Sequence, residues 1–320
     1  MTTTVLLRRD FRAIGGGLVA VRGKDFKVFD VFGHVRSAPR FEARIHFAPG
    51  SVWAEDNPFL PFRDEGEPEY RPEDADLVFV TDRGDWNAIG EERLDRLRGA
   101  VVHRCGHFWG LRQGDVAFDF LRRPAWRICT SRAIAAEFER LGAPGPIRVV
   151  PNGIDFSGLP APGDRKVDVV IVGTKRPRLA RAVHRRLERF GRRLDLIEGY
   201  LPRREFLERI ARARVGVFLP AAGEGFHIPP LEAMAMGTLV VCPDVRGNAD
   251  FCRDGDTALM PAMEKGAIAD AAKAALGFGR AEREAMLGRA AAEARAHDLA
   301  AERAGVLAVL DAAAGSRAVR

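Results

Sequence analysis

Two glutamates separated by seven residues, Glu224 and Glu232, stand between two apolar runs, residues 215–219 and 238–242. Each run reads as a buried strand of a parallel sheet. Between them lie a glycine-containing loop and a helix. Pro229 and Pro230 suit the first helical positions, and Gly237 stands where the helix must stop. A helix that begins at the carboxyl end of a strand presents unpaired N–H groups, which makes a ready anion site. A carboxylate beside a bound phosphate would repel it, so Glu224 on the loop and Glu232 in the helix should face something else. An ionised carboxylate only accepts hydrogen bonds, and a diol supplies two donors. A nucleoside diphosphate sugar meets these demands, with its anion at the helix end and one carboxylate each for the ribose and the sugar.

Other residues have the right type at the right place. The apolar run 167–172 ends in Gly173, followed by Lys175, Arg176 and Arg178, so these cations sit at the carboxyl end of a strand, where they can neutralise a diphosphate. In the first half, the short apolar run 100–102 leads into His103 and then His107. A side chain at the carboxyl end of a parallel strand enters the ligand crevice, which makes His103 the catalytic candidate and His107 the second choice. Gly15, Gly16 and Gly17 follow a first short strand at residues 5–7, and such a cluster lets backbone approach a ligand closely. No G-x-G-x-x-G dinucleotide fingerprint occurs there. The four cysteines are widely spaced, without a Cys-x-x-Cys pair, so neither zinc nor a disulfide framework is indicated.

The pattern Glu-Gly-Phe-x-x-x-x-x-Glu-Ala-x-Ala-x-Gly over residues 224–237 resembles the donor site of retaining glycosyltransferases of family 4, which have the GT-B fold. The resemblance is strong over residues 147–260 and faint over residues 1–145. It implies that Glu224 contacts the transferred sugar and Glu232 the ribose. It also implies that the backbone of Gly225, Phe226 and His227, with Gly173 and Leu231, lines the donor. His227 stands where the family usually has glycine. By the same resemblance Gly16 and Gly17 lie near the diphosphate and the acceptor, and His103 near the transferred sugar. Lys175 and Arg176 then act with the helix N-terminus on the departing diphosphate, in a role a metal would otherwise fill, so no metal is expected. No compact Asp-x-Asp follows a strand, which disfavours a metal-dependent GT-A enzyme.

The elements that must position these residues alternate as strands and helices in both halves, which gives an α/β protein with parallel sheets. We expect two Rossmann-like domains facing a central cleft. Residues 1–156 form the acceptor-binding domain, residues 165–298 the nucleotide-sugar-binding domain, and residues 299–320 a helix returning to the first. Residues 158–164 have a linker composition, and Asn152-Gly153 reads as a turn with positive φ. Residues 26–35 fit helix or strand. A helix is expected over residues 85–97, and a basic amphipathic one over residues 178–193, with a solvated outer face preferred over a lipid-binding one.

Hydrophobic residues make up 47% and charged residues 29% of the chain, as in globular proteins, and no run approaches the roughly 20 apolar residues of a membrane span. The N-terminus lacks a signal-peptide core, so cytoplasmic residence is expected, with peripheral contact to the inner face of the membrane left open. The net charge of +6 favours anionic partners, and nucleic acid is the disfavoured one. The expected activity is retaining, metal-independent transfer of a hexose from a UDP- or GDP-sugar to an acceptor hydroxyl, with ADP not excluded and the acceptor a glycan, lipid, protein or small molecule. A nucleotide-sugar epimerase or hydrolase of the same fold, and a non-catalytic adaptor for polyanions or membranes, are the competing readings.

Overall fold

The computed structural model describes residues 2–12, 23–108, 111, 118–161 and 163–316. Gly16 and Gly17 lie outside the described residues. The chain forms two compact units, one of residues 1–151 and 302–320, the other of residues 152–301.

Unit 1 is built on a parallel sheet whose six described strands are β1 (Thr3–Arg9), β2 (Phe41–Phe47), β3 (Leu77–Val80), β4 (Ala100–Cys105), β5 (Trp126–Cys129) and β6 (Ile147–Val149), in the order β2-β1-β3-β4-β5-β6. Both faces are covered, so the strands read as near-continuous apolar runs. Val5, Leu7, Phe79 and Val102 point to one face, where Val31 and Val35 of helix α1 (Gly23–Arg36) and Val306 and Leu310 near the C-terminus meet them. Leu6, Val78, Val80 and Val101 point to the other, against Trp86 and Ile89 of α2 (Arg83–Ile89). The helix expected over residues 85–97 is two helices, because Gly90 at φ 76° separates α2 from α3 (Glu91–Leu94). Helix α4 (Arg132–Arg140) starts where Ser131 predicts: its hydroxyl accepts from the Ile134 N–H, and Gly142 at φ 63° follows the helix end.

Unit 2 contains β7 (Val167–Val172), α5 (Pro177–Glu188), β8 (Leu194–Ile197), α6 (Arg203–Ala211), β9 (Ala213–Phe218), α7 (Ile228–Ala235), β10 (Leu239–Val241), α8 (Lys265–Gly277) and α9 (Arg280–Ala296). Its strands are parallel in the order β10-β9-β7-β8. Val169 and Ile171 face Ala180, Val183 and Leu187 of α5 and Ile268 of α8, while Val170 and Val172 face Leu207 of α6, Leu231 of α7 and Ala290 of α9. Helix α5 ends earlier than its basic pattern suggests: Gly191 takes φ 62° and Phe190 is left exposed. The last helix, α10 (Leu299–Gly315), supplies Val306, Leu307, Val309, Leu310 and Ala313 to the core of unit 1.

The expected positive φ at Asn152-Gly153 is not there. A Cβ at Gly153 would press on the backbone of Asp298 and Leu299, and the Ile154 N–H donates to the carbonyl of His297 at 2.8 Å. Glycine is required for that close approach rather than for a left-handed turn.

Candidate functional site

The order β10-β9-β7-β8 reverses direction between β7 and β9, since the chain proceeds from β7 outward to β8 and later from β9 outward to β10. In open parallel sheets ligands bind beyond the carboxyl ends of the strands at such a switch point. The two segments that leave the sheet there are residues 173–176 after β7 and residues 219–227 after β9.

These segments are joined by polar contacts. The Lys175 ammonium forms an ion pair with Glu224 across the switch point. Arg176 Nε donates to the Pro220 carbonyl at 2.7 Å, and the Leu219 N–H donates to the Val172 carbonyl at 3.1 Å. Lys175 is partly exposed and Glu224 is buried, so the pair spans the boundary between solvent and interior. Gly173 has a packing reason to be glycine, because a Cβ there would collide with the Cβ of Ala180 on α5. Gly247 packs in the same way against the backbone of Glu224 and Gly225, and the loop after β10 thereby fixes the Glu224 segment.

Helix α7 opens with His227 as its N-cap, at φ −92° and ψ 92°, followed by Ile228, Pro229 and Pro230. The prolines occupy the expected first turn, but they have no N–H, so the backbone donors at this helix start are fewer than the sequence argument assumed. The helix dipole remains. Gly237 at φ 71° ends the helix region as expected.

Phe226 and Leu231 are core residues. Phe226 packs on Phe251 with ring centroids 5.0 Å apart and on His297 at 5.7 Å, and Leu231 is fully buried. Their side chains anchor the loop and the helix. Glu232, on α7, is 1% exposed and receives a hydrogen bond from Arg203 Nη2 at 2.6 Å. Arg203 escaped the sequence reading. Its signal was available: it opens α6 directly after Pro202, at a helix end where cations oppose the dipole, so its charge needs a partner elsewhere.

His103 requires a correction. Strand β4 runs on to Cys105, so His103 lies inside the sheet instead of beyond its end. Its ring sits edge-on to Trp86 at 5.7 Å and to Phe138 at 6.1 Å, and its Nδ1 lies 2.7 Å from Arg127 Nη1. A guanidinium only donates, so Nδ1 accepts and the ring proton resides on Nε2. Burial, reinforced by the Arg127 charge, holds the His103 pKa well below its ordinary value. Arg127 is itself pushed down to about 10 by burial, and it also donates to the carbonyls of Phe120, Leu121 and Arg123. The strand-end position expected of His103 belongs to His107, which is exposed.

The structure thus brings Gly173, Lys175, Arg176, Glu224, Gly225 and His227 together at the switch point of unit 2, and couples Glu232 to Arg203. His103 belongs to unit 1. Among the described residues no group of three or more His, Cys, Asp or Glu side chains could hold a metal ion.

Residues 158–277 match the family model described as glycosyl transferases group 1, a span that contains Lys175, Arg203, Glu224 and Glu232. No curated protein matches the sequence. Solved structures match over nearly the full length. Sucrose-phosphate synthase from Thermosynechococcus elongatus is 14% identical, with 97% of this chain and 98% of that one covered at a TM-score of 0.71. HepE of Anabaena, in complex with UDP-glucose, is 15% identical, with 97% and 99% covered at 0.70. The α,α-trehalose 6-phosphate synthase from Burkholderia multivorans is 15% identical, with 99% and 100% covered at 0.68. At these identities the likeness speaks to architecture, and the chain has the α/β GT-B fold, with a stretch of its second unit matching the glycosyl transferases group 1 model.

Proposed function

We propose that the protein is a glycosyltransferase that moves a hexose from a nucleoside diphosphate sugar to an acceptor hydroxyl, with retention and without a metal. The observation that carries this reading is the Lys175–Glu224 pair across the switch point of unit 2. It lies within the span that matches the glycosyl transferases group 1 model. The UDP-glucose bound by the structurally similar HepE supports a nucleotide-sugar donor of the UDP type.

The pair has a simple chemical logic. Without a ligand, ammonium and carboxylate neutralise one another. A diphosphate takes the ammonium, and the sugar hydroxyls take the acceptor oxygens that Glu224 then exposes. Arg176, held through Nε by the Pro220 carbonyl, turns its remaining donors to the same phosphate. The growing charge on the leaving diphosphate is stabilised by these cations and by the positive end of α7. The Gly225–His227 backbone lines the sugar, and Glu232, oriented by Arg203, takes the ribose hydroxyls. We assign acceptor binding to unit 1, with His107 in place of His103 as the histidine beyond the strand end. Residues 1–156 and 165–298 remain our assignment of the acceptor and donor domains. Among the described residues no helix is long and apolar enough to cross a membrane. Four free, buried cysteines accord with cytoplasmic residence.

A thermal-shift panel of nucleotides and nucleotide sugars tests the reading: a ligand at 100 times its dissociation constant stabilises by about 2.7 kcal/mol. A flat response to every nucleotide refutes it. Product analysis with the responding donor separates transfer from hydrolysis or epimerisation, since the latter two yield free or altered sugar without any acceptor.

A further inference from the structure

We propose that the His227 side chain reads a hydroxyl of the transferred sugar, where Pro229 and Pro230 have removed backbone donors from the start of α7. This rests on the donor-site reading above and adds a specificity-determining side chain to it. An N-cap residue ordinarily lends its side chain to the N–H of the second or third helical residue. In α7 those residues are Pro229 and Pro230, and neither has an N–H to offer. His227 accordingly makes no side-chain cap bond. It is nevertheless 3% exposed, and its Nδ1 is buried without a hydrogen-bond partner among the described residues.

Buried polar atoms are almost always paired, and an orphan one beside a proposed ligand site calls for a ligand atom. The surroundings say which kind. The ring lies edge-on to Phe218 at 6.4 Å and close enough to Lys175 to feel its charge. Burial, then the Lys175 ammonium, hold the imidazole pKa well below its ordinary value, so the ring is neutral. A neutral imidazole has one donor and one acceptor nitrogen. A hydroxyl both gives and takes a hydrogen bond, so it satisfies Nδ1 in either tautomer, whereas a phosphate oxygen serves only the Nδ1–H form. Lys175 is the group suited to the phosphate, and the uncharged His227 is the one suited to the sugar.

The experiment is calorimetric titration of the full chain with UDP against UDP-glucose, and with GDP against GDP-mannose, on the wild type, His227→Leu and His227→Asn. Leucine approximates the volume without a polar atom, and the asparagine amide approaches the position of Nδ1. For whichever pair binds, His227→Leu should bind the free nucleotide as the wild type does and the nucleotide sugar about tenfold more weakly. His227→Asn should keep the wild-type ratio. An equal loss of nucleotide and nucleotide sugar, or no loss, overturns the proposal. Should His227→Leu fail to fold, His227→Gln replaces it, and equal sugar preference in the Asn and Gln variants overturns the proposal instead. A wild type that binds neither nucleotides nor nucleotide sugars refutes the donor site itself, which is a separate result.

Discussion

Replacing Glu302 by glutamine should destabilise unit 1 by about 3 kcal/mol at neutral pH, and by almost nothing near pH 2. Glu302 lies on α10 and is 2% exposed. Its Oε2 is 2.6 Å from Lys27 Nζ and 3.7 Å from His34 Nε2, and its Oε1 is 3.6 Å from Arg104 Nη2. Burial alone would raise its pKa. The His34 ring and the Lys27 and Arg104 cations reverse that and hold the carboxyl at about 2, against an ordinary value of 4.5. At 1.36 kcal/mol per pH unit, that displacement corresponds to about 3 kcal/mol. The folded-state pKa is the lower one, so this stability is present above pH 4.5 and is lost as pH falls from 4.5 towards 2. Breaking a buried pair by removing one partner costs a similar 3–5 kcal/mol. Glutamine keeps the size and mimics the protonated acid, which isolates this carboxyl from every other titrating group.

The assay is urea unfolding from pH 2 to 8 followed by tryptophan fluorescence. The chain has four tryptophans, none of them within residues 152–301, and the described ones, Trp53, Trp86 and Trp126, belong to unit 1, so the signal carries no contribution from unit 2. The difference between wild type and Glu302→Gln should decline across the window from pH 4.5 to 2. A difference below about 1 kcal/mol at pH 7, or one that does not change with pH, would refute the reasoning, because a neutralised buried carboxylate cannot behave in either way.

Lys175→Ala should lower kcat about 10²- to 10³-fold in a donor-turnover assay; undiminished kcat with undiminished UDP affinity would remove Lys175 from the phosphate. Gly173→Ala should destabilise the chain by about 1–3 kcal/mol, read as a lowered unfolding midpoint in a circular-dichroism melt, because the new methyl meets the Ala180 Cβ. His103 is buried neutral, with its folded-state pKa below the unfolded one, so the stability it confers is present above about pH 6.5 and is lost as pH falls below it. Unit 1 should therefore weaken as pH falls below about 6.5, by up to about 1.4 kcal/mol per pH unit. His103→Asn, whose side-chain oxygen can still accept from Arg127, should lose that slope; an unchanged slope would mean that His103 is not its source.

How legible each feature was in the sequence depends on how local its cause is. The stretch around Glu224 and Glu232 was legible because strand, loop, proline-started helix and glycine stop follow one another within a few tens of residues. Each signal there rests on backbone geometry that neighbours alone enforce. His103 was misread for a contrary reason. Beyond Val102 the polar triplet His103-Arg104-Cys105 looks like a loop, yet all three residues are buried in β4. Arg104 is balanced by Glu302 from α10 and His103 by Arg127 from β5, and no local pattern announces partners so distant in sequence. A buried polar residue is tolerable wherever its hydrogen bonds are satisfied, so its place is decided by tertiary pairing that periodicity cannot register.

Gly153 and Arg203 extend the same distinction. Asn152-Gly153 was read as a left-handed turn, but its glycine answers to backbone that arrives from Asp298, far along the chain. Arg203 carries no local signal of its partner, because Glu232 lies on a different helix, 29 residues along the chain. Lys175 and Glu224 nevertheless come together from within unit 2. The reversal of strand order between β7 and β9 already forces the segments carrying Lys175 and Glu224 to leave the sheet side by side. Topology alone sets that meeting, so a basic residue after the first strand of this unit and an acidic one after its third suffice to encode the pair. Lys175 and Glu224 can therefore be recognised from two short segments almost fifty residues apart, whereas His103 cannot be placed without the rest of its unit.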